Sequence, residues 1–187
     1  MLVGKKVDSK TDYYEFIQRP ENVSRTFELI DGELKEKMPS FAYSSGISAR
    51  VMTFVGMYLL TNDIAHITDA QGGYEIGENT LVPDVGVILK VRQPELPRDR
   101  YIPIPPDLVI EVVSQSDYND PKNRIEKKLR IYLEAQIPLI WYLFPERREV
   151  EVYARNSGKQ VLGVENTLDG GDVLPGFKLA VRDIFPE

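Results

Sequence analysis

The chain has 187 residues, 42% of them apolar, which suits one globular domain spanning 1–187 with a full hydrophobic core. It contains no cysteine and one histidine, His66, so disulfides, thiolate-bound zinc, thiol nucleophiles and a histidine-rich metal site are excluded. The formal charge of −6 argues against a protein that coats nucleic acid nonspecifically, because that affinity comes from clustered Lys and Arg, although an enzyme with a local basic rim is still permitted.

The N-terminus "MLVGKKVDSKTDYYEF" lacks the apolar middle of a secretory signal, and no run reaches the ~18 to 20 apolar residues of a membrane span, so a cytoplasmic location is expected. A short helix is expected around Tyr13 to Ile17. "RTFELIDGELKEKM" alternates and turns at Asp31-Gly32, a strong hairpin signal. Residues 44–62 carry Ile47, Val51, Phe54, Val55, Tyr58 and Leu59 near helical spacing, which predicts an amphipathic helix on a sheet. Strands are predicted near 66–70, 74–76, 81–90 and 107–114. In "NDPKNRIEKKLRIYLEAQIP", Asp120 can cap a helix, Pro121 suits its first turn and Pro138 ends it. "LIWYLF" then reads as a buried strand, with Trp141 and Tyr142 in the core, and "REVEVYAR" as a charged, alternating strand suited to a sheet edge. "LPGFKLAVRDIF" supplies a last apolar anchor. The order predicts an α/β (α+β) fold, one mixed sheet flanked by helices with an N-terminal hairpin.

Two of the apolar strands carry acids. "VPDVGVIL" holds Asp84 and "PPDLVIEVVS" holds Glu111, and an unpartnered carboxylate costs several kcal/mol to bury. If the two strands are neighbours, Asp84 and Glu111 converge, and their hard oxygens form a partial shell for magnesium or manganese. Such a pair would repel itself without a cation, so loss of Asp84 is expected to leave the metal-free fold as stable as before. The alternative is structural: a strand-entry aspartate or a glutamate turned to solvent. Asp107, before its strand, reads as turn chemistry. His66, amid apolar residues, reads as a satisfied core histidine, and Ser114 and Ser116 as loop hydrogen-bonders.

The succession "FELIDGEL", "VPDVGVIL", "PPDLVIEVVSQSD", "KKLRIYLEAQIPLIWYLFP" and "LPGFKLAVRDIF" resembles a large family of bacterial restriction endonuclease-like proteins within the PD-(D/E)xK nuclease superfamily. The resemblance runs from about Thr11 to Phe185. It implies a restriction endonuclease-like core (about 11–185), with Asp84 as the aspartate of the PD element and Glu111 as the acid of the (D/E)xK element. Val113 stands where the superfamily pattern has lysine. The resemblance implies Lys128, four residues before Tyr132, as the replacement. Helical spacing agrees, since Lys128 flanks the stripe of Ile125, Leu129 and Tyr132 while Lys127 points away from it. The family usually has a histidine where this chain has Ser44 and Ser45, and an acid where it has Arg124.

A further acid could come from Glu28 or Glu33, with Glu33 the better candidate, and Gln115 could contact substrate or water. The reading that follows is a magnesium- or manganese-dependent endonuclease acting on DNA, with Asp84, Glu111 and Lys128 catalytic, Asp84 and Glu111 on the metal, and a homodimer as its working form. The alternative is a noncatalytic binding or regulatory module on the same fold, with the carboxylates tied up in internal salt bridges to Lys128.

Overall fold

The structure is a computed structural model that describes residues 6, 7, 9–114 and 125–185. Helix α1 (Lys10–Ile17) starts at Ser9, whose hydroxyl accepts the Asp12 N–H, and buries Tyr13 and Phe16 one turn apart. Strands β1 (Phe27–Ile30) and β2 (Glu33–Glu36) form the expected hairpin. Asp31 and Gly32 both have positive φ, 51° and 76°, which matches the right-handed twist of a two-residue turn. The pairing Ile30 with Glu33 follows from that turn and fixes the register of every residue behind it.

Helix α2 spans Ala42–Thr61. Strands β3 (Ala65–Thr68), β4 (Tyr74–Ile76), β5 (Asn79–Leu81), β6 (Val85–Leu89) and β7 (Leu108–Val112) follow. The single strand expected over 81–90 is two, broken at Val82-Pro83-Asp84, because proline removes a ladder donor where the chain passes from one sheet to the other. Helix α3 (Ile125–Glu134) connects β7 to β8 (Leu139–Phe144), then β9 (Glu149–Ala154), β10 (Gly158–Leu162), β11 (Thr167–Asp169) and β12 (Lys178–Ala180). The expected cap at Asp120-Pro121 lies outside the described residues.

The central sheet has the order β10-β9-β8-β7-β6-β3. The β7/β8 pair is parallel and the others antiparallel, and a second sheet has the order β2-β1-β5-β4. The result is a mixed α/β fold with a central mixed sheet flanked by helices. On one face Ile47, Val51 and Val55 of α2 pack on Val85, Val87, Ile110 and Trp141. On the other, Ile131 and Tyr132 of α3 and Ile30, Tyr74 and Leu81 of the smaller sheet pack on Ile88, Val109, Ile140 and Tyr142.

Two expectations are corrected. "REVEVYAR" is not an edge strand: β10, whose residues are almost all exposed, pairs along the outer side of β9. The charges of β9 are met across its own neighbourhood, Glu151 by Arg147 and Lys159. His66 is not a core histidine but half-buried on the edge strand β3, its Nε2 3.0 Å from the Pro94 carbonyl oxygen. Asp107 is structural as expected, accepting the Leu89 N–H at 2.9 Å and pairing with Arg92 at 2.8 Å.

The two sheets meet at Gly86. A Cβ there would stand 2.4 Å from the Tyr74 ring, and Tyr74 is fully buried with its hydroxyl on Thr68. Overpacking of this kind costs about 1–3 kcal/mol. Gly86→Ala is therefore expected to lower stability by about 2 kcal/mol in urea unfolding. An unchanged midpoint would mean that Tyr74 can swing aside and does not lock the sheets together.

Candidate active site

The β6/β7 register pairs Val85 with Ile110 and Gly86 with Val109, so one step further along the ladder Asp84 stands across from Glu111. Both belong to the sheet face that meets α3 and the smaller sheet. Lys128 reaches them from α3, where it is 3% exposed. Its ammonium lies 2.5 Å from Glu111 Oε1 and 2.9 Å from Glu28 Oε1. Lys128 is buried as the helical face implies, while Lys127 is half-buried rather than fully solvated. One turn on, the Tyr132 hydroxyl donates to Glu111 Oε1 at 2.6 Å.

The remaining acid is Glu28, not the preferred Glu33. Glu28 is 1% exposed on β1, and its Oε1 also accepts the Val82 N–H at 2.9 Å. Glu33 stands beside the turn, only partly buried. Gln115, Ser116 and Arg124 lie outside the described residues. Val113 is buried and apolar, so the ammonium of the site comes from the helix rather than from β7.

Lys37 is the residue that sequence reasoning missed. It follows β2, its ammonium pairs with Asp84 Oδ1 at 2.9 Å and donates to the Val82 carbonyl at 2.7 Å. A signal existed. The Asp31-Gly32 turn sets the hairpin register, Lys37 N–H bonds to Thr26, and side chains alternate, so Lys37 shares the face of Glu28. Composition hid it, since "GELKEK" reads as an ordinary solvated strand end.

These groups and burial shift Asp84 and Glu111 in opposite directions. Burial alone would raise the Asp84 pKa, but the charges of Lys37 and Lys128 and the Val112 N–H, 2.8 Å from Oδ2, outweigh it and hold the carboxyl below its ordinary range. For Glu111 burial wins: its pKa is raised, with Asp84 adding to the shift and Lys128 offsetting only part of it. Burial and the adjacent Glu111 push the Tyr132 phenol far above its usual value, so it remains a donor. Asp84 is thus not the uncompensated charge that the sequence suggests, because Lys37 already neutralises it.

Asp84, Glu111 and Lys128 open onto a cleft of about 330 Å³, walled also by Lys37, Met38 and Phe41. Among the described residues no group of three or more His, Cys, Asp or Glu side chains is arranged to hold a metal ion. Among the described residues, Asp84 and Glu111 are the carboxylates that line the cleft.

A family model described as "Putative restriction endonuclease" (Uma2) matches residues 13–182. The chain belongs to the Uma2 family. The match spans both sheets and places the chain in a PD-(D/E)xK-related nuclease superfamily. Among solved structures, a putative nuclease from Anabaena variabilis superposes with a TM-score of 0.73 at 21% identity, over 91% of this chain and 95% of that one. At that identity the likeness speaks for the Uma2 fold alone. A comparison with curated protein sequences found no match. No helix among the described residues is long and apolar enough to cross a membrane.

Proposed function

We propose that this Uma2 protein is a metal-dependent endonuclease that hydrolyses phosphodiester bonds of DNA. The observation that carries the reading is the convergence of Asp84, Glu111 and Lys128 at one cleft, from three elements distant in sequence. Two carboxylates fit magnesium or manganese, because magnesium keeps several waters and takes one or two protein carboxylates rather than a full protein cage. Lysine ammoniums already resting on Asp84 and Glu111 indicate that these oxygens suit a cation. Asp84 and Glu111 would hold the ion, which when bound would supply Lewis acidity at the phosphate and a water of lowered pKa.

The protein's own groups do the rest. The Tyr132 hydrogen bond and the Lys128 ion pair, both at Oε1, orient the Glu111 carboxylate, and Glu28 holds Lys128 from the other side. Lys128 is placed to steady charge on a phosphate oxygen or to orient the attacking water. Duplex cutting by such a core would use two copies of the chain, each cleaving one strand.

The ion pairs also favour a second reading, in which Lys128 and Lys37 permanently neutralise the carboxylates of a noncatalytic binding module. Two measurements separate them. The nuclease reading expects supercoiled plasmid to be nicked with magnesium or manganese and left intact with chelator. It also expects a melting temperature that rises with the same ions, since a ligand at 100 times its dissociation constant adds about 2.7 kcal/mol. A protein that neither cuts nor responds to either ion supports the binding module.

A further inference from the structure

The Lys37 ammonium is buried against Asp84, its side chain 8% exposed, and it sits on the wall of the cleft. Asp84 Oδ2 is engaged by the Val112 N–H, so Oδ1 is the oxygen without a backbone donor, and Oδ1 is the one that carries Lys37. An ion arriving at Asp84 therefore meets an oxygen already occupied by a cation. Lys37 is also the member of the cluster best placed to leave. It follows the end of β2 and is held by one carboxylate, Asp84, and the Val82 carbonyl, whereas Lys128 is held inside α3 between two carboxylates, Glu28 and Glu111.

Resting on the metal site proposed above, we propose that Lys37 is an internal competitor for that site: its ammonium holds Asp84 Oδ1 in the metal-free protein, and a divalent cation binds by exchanging with it. Charge sets the direction. Lys37 is the ammonium in contact with Asp84 Oδ1, and its positive charge there repels an arriving dication. Removing the Lys37 charge deletes that repelling group and leaves Asp84 Oδ1 open to the ion. Lys37 thus sets the cation concentration at which the site fills, and no exchange requires nucleic acid to be present.

The test is calorimetric titration of manganese chloride into metal-free protein without nucleic acid. Lys37→Met is expected to bind at least tenfold more tightly than the wild type, a gain of 1.4 kcal/mol. Lys37→Arg is expected to bind at least threefold more weakly, since a guanidinium grips a carboxylate through two parallel hydrogen bonds. Adding Asp84→Asn to Lys37→Met should remove the gain. Unchanged or weaker binding by Lys37→Met, with the wild type still binding, overturns the competitor role and leaves the metal site standing. No manganese binding by either protein overturns both. If Lys37→Met does not fold, Lys37→Arg decides alone, and binding as tight as wild type or tighter overturns the proposal.

Discussion

Exchanging Lys128 for methionine is expected to abolish metal-dependent cleavage, while Lys127→Met leaves it within about twofold of wild type, as is usual for substitutions away from a site. The two lysines are adjacent in sequence and alike in charge, so the contrast isolates the helix face. Lys128 is buried between Glu28 and Glu111, and its loss removes the ammonium that both buried carboxylates share. Breaking a buried ion pair by removing one partner costs about 3–5 kcal/mol. Lys128→Met should therefore also melt at a markedly lower temperature. Cleavage is measured well below the variant's melting point, on protein shown to be folded by circular dichroism. Equal loss of activity from the two substitutions would remove Lys128 from the site.

Asp84→Asn is expected to act on both stability and metal response. In metal-free buffer it leaves Lys37 buried without its carboxylate and costs about 3 kcal/mol, the scale of a broken buried pair. With magnesium or manganese the melting temperature of the variant should no longer rise. The pH dependence follows from the depressed Asp84 pKa, which Lys37 and Lys128 impose against the opposing effect of burial. A depressed carboxyl contributes stability that is present above its unfolded pKa of ~3.9 and is lost as pH falls through the lower folded value. The stability difference between wild type and Asp84→Asn should accordingly persist at neutral pH and shrink in acid. A variant as stable as wild type in metal-free buffer would mean that Lys37 does not neutralise Asp84. An intact metal response would remove Asp84 as a ligand.

What the sequence determined by itself was local. Asp31-Gly32 specifies a hairpin because both residues tolerate positive φ, and the structure has that turn with its register. The apolar runs around Asp84 and Glu111 mark buried strands, and period-two alternation puts each acid on a definite face. Helical spacing separates Lys128 from Lys127 for the same reason: the period is a property of the backbone, independent of what packs on it.

Tertiary structure decided what covers each face, which no local period encodes. Glu28 and Glu33 are both plausible acids of one hairpin, and only the docking of the smaller sheet against α3 brings Glu28 to Lys128 while Glu33 stays beside the turn. Lys37 looks solvated until β1 and β2 are laid beside Val82 and Asp84. "REVEVYAR" looks like an edge until β10 pairs outside it, and His66 looks like a core residue until β3 takes the far edge of the sheet. Strand order and sheet docking arise from contacts between residues far apart in the chain. The charge balance at Asp84 depends on those contacts, because the cation that relieves it comes from a different sheet.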